Sequence, residues 1–136
     1  MMEQTLAIIK PDITKVGREF EVLETITDAG FKVVACAKRI LTPAQAEAFY
    51  AEHKGRPFLP ELVDFMSSGP VILLVLEKQN GIAAWRELMG ATDPALATNG
   101  TIRKRFGTSK GSNATHGSDS ATSAAREIEF FFPHMA

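Results

Sequence analysis

Cys36 is the one cysteine in this chain of 136 residues. It cannot close an internal disulfide, and it sits in the apolar run "VVACA", so a reduced, cytoplasmic setting is expected. No run approaches the roughly 18 apolar residues of a membrane helix. The N-terminal "MMEQTL" is acidic and has no long apolar stretch, so no secretory signal is expected. Charge of one sign is lacking too. Lys and Arg number 15 against 16 Asp and Glu, a formal net charge of −1, which gives no global pull toward nucleic acid or membrane. There is no G-x-x-x-x-G-K-[ST], which excludes a P-loop, and no G-x-S-x-G nucleophile elbow. No repeat, low-complexity segment or linker divides the chain, so residues 1–136 read as one domain, long enough for a real core.

What is present reads as alternating strands and helices. "TLAIIK" (5–10), closed by Pro11, reads as a buried strand. In "GREFEVLETITDAG", Val22, Leu23, Ile26 and Ala29 share one helical face, and Gly30 suits the stop. "FKVVACAKRIL" reads as a second strand. "TPAQAEAFYAEH" opens on a cap (Thr42), a first-turn proline (Pro43) and a capping-box partner (Gln45). "RPFLPELVDFMSSGP" reads as a short helix stopped at Gly69–Pro70. "VILLVLEK" reads as a strand covered on both faces, because its apolar residues do not alternate. "NGIAAWRELMG" reads as another helix. Residues 91–113 lose all periodicity and read as a long loop, usually a functional feature in a compact domain. A short strand at 114–117 and a capped helix beginning near Ser118 close the chain. This order suits a ferredoxin-like βαββαβ α+β sandwich, with a four-stranded antiparallel sheet and added helices.

Of the three histidines, His134 is in the tail and His53 in a polar patch, while His116 stands in "NATHGSDS". A zinc ligand would need a second His or Cys at ligand spacing, which is missing. A general base for Ser118 would need a nucleophilic-serine turn, also missing. A third role is nucleophile. Neutral imidazole attacks well near neutral pH, since its ordinary pKa is about 6.5. It needs its second nitrogen held, and Glu127, Glu129, Ser118 and Asp119 are candidate holders. The fourth, plainer role is a histidine satisfied by backbone. The cations bear on this choice. Lys10 ends the first strand, Arg86 lies on the helix after the third, and Arg103, Lys104 and Arg105 lie in the long loop with Thr92, Thr101 and Asn113. If strand ends and loop meet on one side of the sheet, they gather around His116 a set suited to phosphate: Arg as a bidentate clamp, Lys as a point charge. A nucleophilic histidine among phosphate binders means phosphoryl transfer through phosphohistidine. The plain alternative for each lone Lys or Arg is a solvated surface charge.

The chain resembles the nucleoside diphosphate kinases. "NATHGSDS" is similar to that family's N-x-x-H-G-S-D signature, and "TLAIIKPD", "FYAEHKGRPF", "SGPV", "RELMGATDP", "GTIR" and "SAAREIEFFF" follow its order along nearly the whole chain. The resemblance implies transfer of the γ-phosphate of a nucleoside triphosphate, chiefly ATP, to a nucleoside diphosphate by a ping-pong route. In it His116 is the phosphorylated residue, Glu127 orients the imidazole and Ser118 sits beside it. Lys10, Arg86, Thr92, Arg103 and Asn113 hold phosphates and sugar hydroxyls, and Tyr50 helps position Lys10. Phe58 stacks on the base, which tolerates any base because every base has a π-face. Mg2+ rides on the nucleotide with no dedicated protein cage. It also implies a homotetramer or homohexamer, with Pro94 in a loop near subunit contacts.

The chain departs from the family pattern at Lys104 and Arg105, at Phe20 where glycine is common, at Lys110 near the base, and in its ending at "FFFPHMA". A rival from another class is a ferredoxin-like nucleic-acid-binding module. Such a module displays aromatics on its central strands, and "TLAIIK" and "VILLVLEK" carry none. Nucleic acid is therefore not expected as the main partner. Three consecutive aromatics, Phe130 to Phe132, cannot all face one helix stripe, so at least one is expected at the surface.

Overall fold

A computed structural model describes residues 2–135. Four strands make one antiparallel sheet: β1 (Met2–Ile9), β2 (Lys32–Arg39), β3 (Val71–Gln79) and β4 (Thr115–Gly117), in the order β2-β3-β1-β4. Strand β1 pairs with β3 along its whole length, from Met2 opposite Gln79 to Ile9 opposite Ile72. On its other edge β1 holds β4, with Ile8 opposite His116. The helices are α1 (Pro11–Thr14), α2 (Glu19–Asp28), α3 (Pro43–Phe49), α4 (Leu59–Met66), α5 (Gly81–Met89), α6 (Ile102–Phe106) and α7 (Ala121–Phe131). This is the ferredoxin-like arrangement that the sequence led us to expect.

The continuous apolar runs of β1 and β3 exist because both faces of the sheet are covered. Leu6, Ile8, Leu73 and Val75 point into a core with Phe49 of α3, Val63 and Met66 of α4 and Ile128 of α7. The alternate residues Ala7, Ile9, Ile72, Leu74 and Leu76 meet Val22 and Ile26 of α2, Trp85 and Met89 of α5, and Ile102 of α6. Truncating one of these, Leu73→Ala for example, costs about 2–5 kcal/mol by lost transfer energy and cavity formation. The double cover therefore fixes β1, and with it the position of β4 on its edge.

The helix starts follow their local chemistry. Thr42 and Gln45 form the expected capping box, with Thr42 Oγ1 accepting from the Gln45 amide at 3.1 Å and Gln45 Oε1 accepting from the Thr42 amide at 2.9 Å. The α3 segment stops at Phe49, however, and a 3-10 turn over Ala51–His53 follows. The last helix begins three residues later than Ser118. Ser120 is its cap, its Oγ accepting from the Ser123 amide at 3.1 Å, which leaves Ser118 free for other bonds. The segment 91–113 is not simply a loop. It holds a 3-10 turn over Pro94–Leu96 and the helix α6, capped by Thr101, whose side chain accepts from the Lys104 amide. Five residues are too few to show a 3.6-residue period.

Candidate active site

The short strand β4 is an edge of the sheet, paired to β1 and packed against α5, and it presents His116 to Glu127 of α7. The indole of Trp85 donates to the His116 carbonyl at 3.1 Å. Gly117 permits this approach: a Cβ there would stand 2.5 Å from the Trp85 ring and 2.6 Å from the Met89 side chain. The imidazole Nε2 lies 2.9 Å from Glu127 Oε1. Ser118 Oγ donates to that same oxygen at 2.9 Å and itself accepts from the Leu6 amide of β1 at 3.2 Å. Glu127 Oε1 is thus an acceptor for both neighbours, so Nε2 carries the proton and Nδ1 keeps its lone pair. Of the four candidate holders, Glu127 bonds the ring and Ser118 bonds Glu127, while Asp119 and Glu129 are exposed. Glu127 is buried and reaches Arg126 through its second oxygen at 3.6 Å.

Burial pushes the His116 pKa down, against the Glu127 hydrogen bond and charge that raise it, and the nearby Lys10 and Arg103 push it down further. The ring is therefore neutral near pH 7. Phe49 and Tyr50 meet it edge-on, at centroid distances of 5.4 and 6.1 Å. The Lys10 ammonium is buried and donates to Asn113 Oδ1 at 2.8 Å, and the Asn113 amide donates to the Thr92 carbonyl at 3.0 Å. Desolvation, and then the charge of Arg103, lower Lys10 to about 8, with Asp12 opposing. Arg103 of α6 donates to the Thr115 carbonyl at 2.9 Å and to the Gly90 carbonyl at 3.2 Å. Its pKa is lowered to about 10 by burial and by Arg86.

Structure and sequence reading agree on the convergence of Lys10, Arg103, Asn113, Ser118 and Glu127 around His116. Arg86 and Thr92 are exposed beside it, Arg86 close enough to act on both Arg103 and Asp119. Phe58 is 47 % exposed and connects through His53 to Tyr50, with ring centroids 5.3 and 6.0 Å apart. His53 thus packs between two rings, with the exposed Glu52, Lys54 and Arg56 around it in sequence. Tyr50 does not hold Lys10 by a hydrogen bond, because its hydroxyl is buried without a partner. Arg103 Nε and Thr115 Oγ1 are likewise buried and unpaired. Buried polar groups are usually satisfied, so such atoms mark a place where a polar ligand can complete the bonding.

Sequence reasoning missed three contributors. Trp85 and Asp12 drew no reading of their own, and Ala114 was expected to open the short strand at 114–117, whereas β4 starts at Thr115. Yet Ala114 has φ +75°, and Asp12 accepts from its amide at 3.0 Å.

An antiparallel α+β sheet that sets cations around an oriented, neutral histidine has the makings of a phosphotransferase. The comparisons specify which. The nucleoside diphosphate kinase family profile matches residues 3–136. The chain is 56% identical over 134 residues to a nucleoside diphosphate kinase from Geotalea uraniireducens, covering 98% of each chain, and 57% identical to one from Geotalea daltonii at the same coverage. Among solved structures, the Aquifex aeolicus nucleoside diphosphate kinase superposes with a TM-score of 0.95 at 44% identity, over 97% of this chain and 96% of that one. A halophilic nucleoside diphosphate kinase from Halobacterium salinarum, in complex with CDP, superposes at 0.93 and 36% identity, over 97% and 88%. The chain belongs to the nucleoside diphosphate kinase family, and it is a phosphotransferase of nucleotides.

Proposed function

We propose that His116 is the phosphate carrier and that transfer runs in two half-reactions. The observation that carries this reading is the 2.9 Å bond between Nε2 and Glu127, which leaves Nδ1 as the nucleophile beside buried cations. Nδ1 attacks the γ-phosphorus of a nucleoside triphosphate, chiefly ATP. The bond from that phosphorus to the β,γ-bridging oxygen breaks, and the electron pair leaves with the nucleoside diphosphate. The Nε2 proton stays on Nε2, donated to the Glu127 carboxylate, whose negative charge balances the phosphorylated ring, and Ser118 keeps Glu127 in place. A different nucleoside diphosphate then takes the phosphoryl group by the reverse path.

Lys10 and Arg103 sit where charge on the moving phosphoryl group would be balanced, with Arg86, Thr92 and Asn113 holding other phosphate and sugar oxygens. Tyr50 Oη supplies an unpaired hydroxyl at the same place. Phe58, half exposed, stacks on the base and accepts any base. The residues fit a nucleotide that brings its own magnesium: those nearest His116 offer cations and amides, and among the described residues no group of three or more His, Cys, Asp or Glu could cage a metal. Bound Mg2+ would withdraw charge from the phosphates. Residues 1–136 act as one catalytic domain in this reading.

The chain self-associates as a homotetramer or homohexamer. Phe130 is 41 % exposed and Ile40 69 %, large apolar groups at the surface of a small chain. Phe132 is buried and Phe131 half-buried within the chain, so Phe130 is the exposed ring of the three. Among the described residues no helix is long and apolar enough to cross a membrane. A cytoplasmic setting suits an unpaired Cys36.

The test is intact mass after brief treatment with magnesium-ATP. The expected result is one added phosphoryl group, discharged by any nucleoside diphosphate, with parallel double-reciprocal lines in steady state. An unmodified mass together with intersecting lines would overturn the reading.

A further inference from the structure

We infer that Asp12 is a positioning residue, a latch that holds the peptide of Ala114 in a left-handed turn and so sets Asn113 and His116 on either side of it. Ala114 has φ +75°, a left-handed region that disfavours a non-glycine residue unless its surroundings hold it. It is held from both sides. Its amide donates to Asp12 Oδ2 at 3.0 Å, and its carbonyl accepts from the Lys10 amide at 2.8 Å. Ala114 is fully buried, so no water can replace these bonds.

The consequences lie on both sides of the turn. Immediately before it, the Asn113 side chain receives the Lys10 ammonium at 2.8 Å. Immediately after it, β4 begins, with Thr115 accepting from Arg103 and His116 following. Lys10, Pro11 and Asp12 thus form one corner that holds both the cation and the backbone carrying the nucleophile. Without the Asp12 acceptor, a buried amide loses its partner at a strained residue. The turn then relaxes toward negative φ, rotating Asn113 and β4 away from Lys10. A misplacement of about 1 Å at a reacting centre slows chemistry by as much as about 100-fold.

The inference rests on the phosphohistidine reading, and one experiment separates the two. Full-length parent, Asp12→Ala, Asp12→Asn, Asp12→Glu and the double variant Asp12→Ala/Ala114→Gly are mixed with excess magnesium-ATP. Appearance of phosphate on the protein is followed by rapid quench and intact mass. Asp12→Asn keeps an acceptor oxygen in place without the charge, whereas Asp12→Glu keeps the charge but moves the oxygen by one methylene. The latch requires Asp12→Asn to stay within a few-fold of the parent, with Asp12→Glu and Asp12→Ala slower by about 10-fold to 100-fold. Glycine adopts positive φ without penalty, so the double variant should recover much of the loss of Asp12→Ala. Asp12→Glu as fast as or faster than Asp12→Asn would assign Asp12 to charge balance on Lys10 and overturn the latch. So would a double variant no better than Asp12→Ala. If Asp12→Ala does not fold, the order of the Asn and Glu variants decides alone. A parent that takes up no phosphate overturns the phosphohistidine reading and the latch with it, whereas a parent and Asp12→Ala that label equally fast overturn the latch alone.

Discussion

Arg103 and Arg105 are two residues apart on the same short helix, yet they live in different electrostatic worlds. Arg103 is 8 % exposed, spends two of its donors on the Thr115 and Gly90 carbonyls and lies near enough to His116 to shift it. Arg105 is exposed. It donates to Thr25 Oγ1 at 3.1 Å, and its guanidinium lies 4.8 Å from the Phe106 ring centre, with Arg18 4.6 Å from that ring. Lys104 is exposed as well. One turn of helix therefore separates a desolvated cation, whose field is strong at low dielectric, from two that water screens. The sign of a charge says little; the depth at which the fold holds it decides whether it does chemistry.

The largest effect should come from the group at the centre of the buried set. His116→Ala should abolish nucleotide phosphotransfer while thermal unfolding stays cooperative. Substantial residual transfer in a coupled assay would remove His116 from the mechanism. Arg103→Ala should follow, with a loss of about 2–4 kcal/mol in kcat/KM, the scale of one preorganised charge contact to a transition state. A loss at Arg105→Ala equal to that at Arg103→Ala would erase the contrast between the two sides of α6.

Lys10 sharpens the contrast by pH. Its folded pKa of about 8 lies below the ordinary lysine value of 10.5. The cation is therefore present below about pH 8 and lost above it, so kcat/KM should fall as pH rises through about 8. On the acid side His116 is depressed from its ordinary value, so activity should persist below pH 6.5. Stability moves the other way. Between about 8 and 10.5 the unfolded chain binds the Lys10 proton and the folded chain does not, so this residue's contribution to stability rises with pH. Lys10→Met should accordingly inactivate the enzyme without lowering its melting temperature at pH 7, and a clear drop in melting temperature would contradict the burial cost. Smaller effects belong to the exposed groups. Phe58→Ala should weaken every nucleotide by about 1–3 kcal/mol in titrations, and a loss confined to one base would reveal a hydrogen-bonding reader. Lys104→Ala should change stability and activity by no more than about 0.5 kcal/mol.

Much of this was legible in the sequence, for definite reasons. The apolar runs of β1 and β3 announced double cover. The capping box at Thr42 marked the start of α3, and the resemblance of "NATHGSDS" to the family signature pointed to His116. What escaped was set by tertiary contact. The helix α6 is too short for periodicity and is held by Thr101 and by packing of Ile102 and Phe106. The start of α7 moved to Ser120 because Ser118 is engaged by Leu6 and Glu127. The positive φ of Ala114 breaks local preference and is sustained only by Asp12 and Lys10, so nothing in its own neighbourhood announced it. The depth difference between Arg103 and Arg105 was invisible for the same reason: both read as loop cations.

The central claim is that Glu127 holds Nε2 and leaves Nδ1 to carry the phosphate. Phosphorus and nitrogen NMR of the phosphorylated protein, with 15N-labelled histidine, reads this directly through the coupling between phosphorus and one ring nitrogen. The expected result is a single phosphohistidine, on His116, with phosphorus bonded to Nδ1. Phosphorus on Nε2, or phosphate found on Ser118, would contradict it.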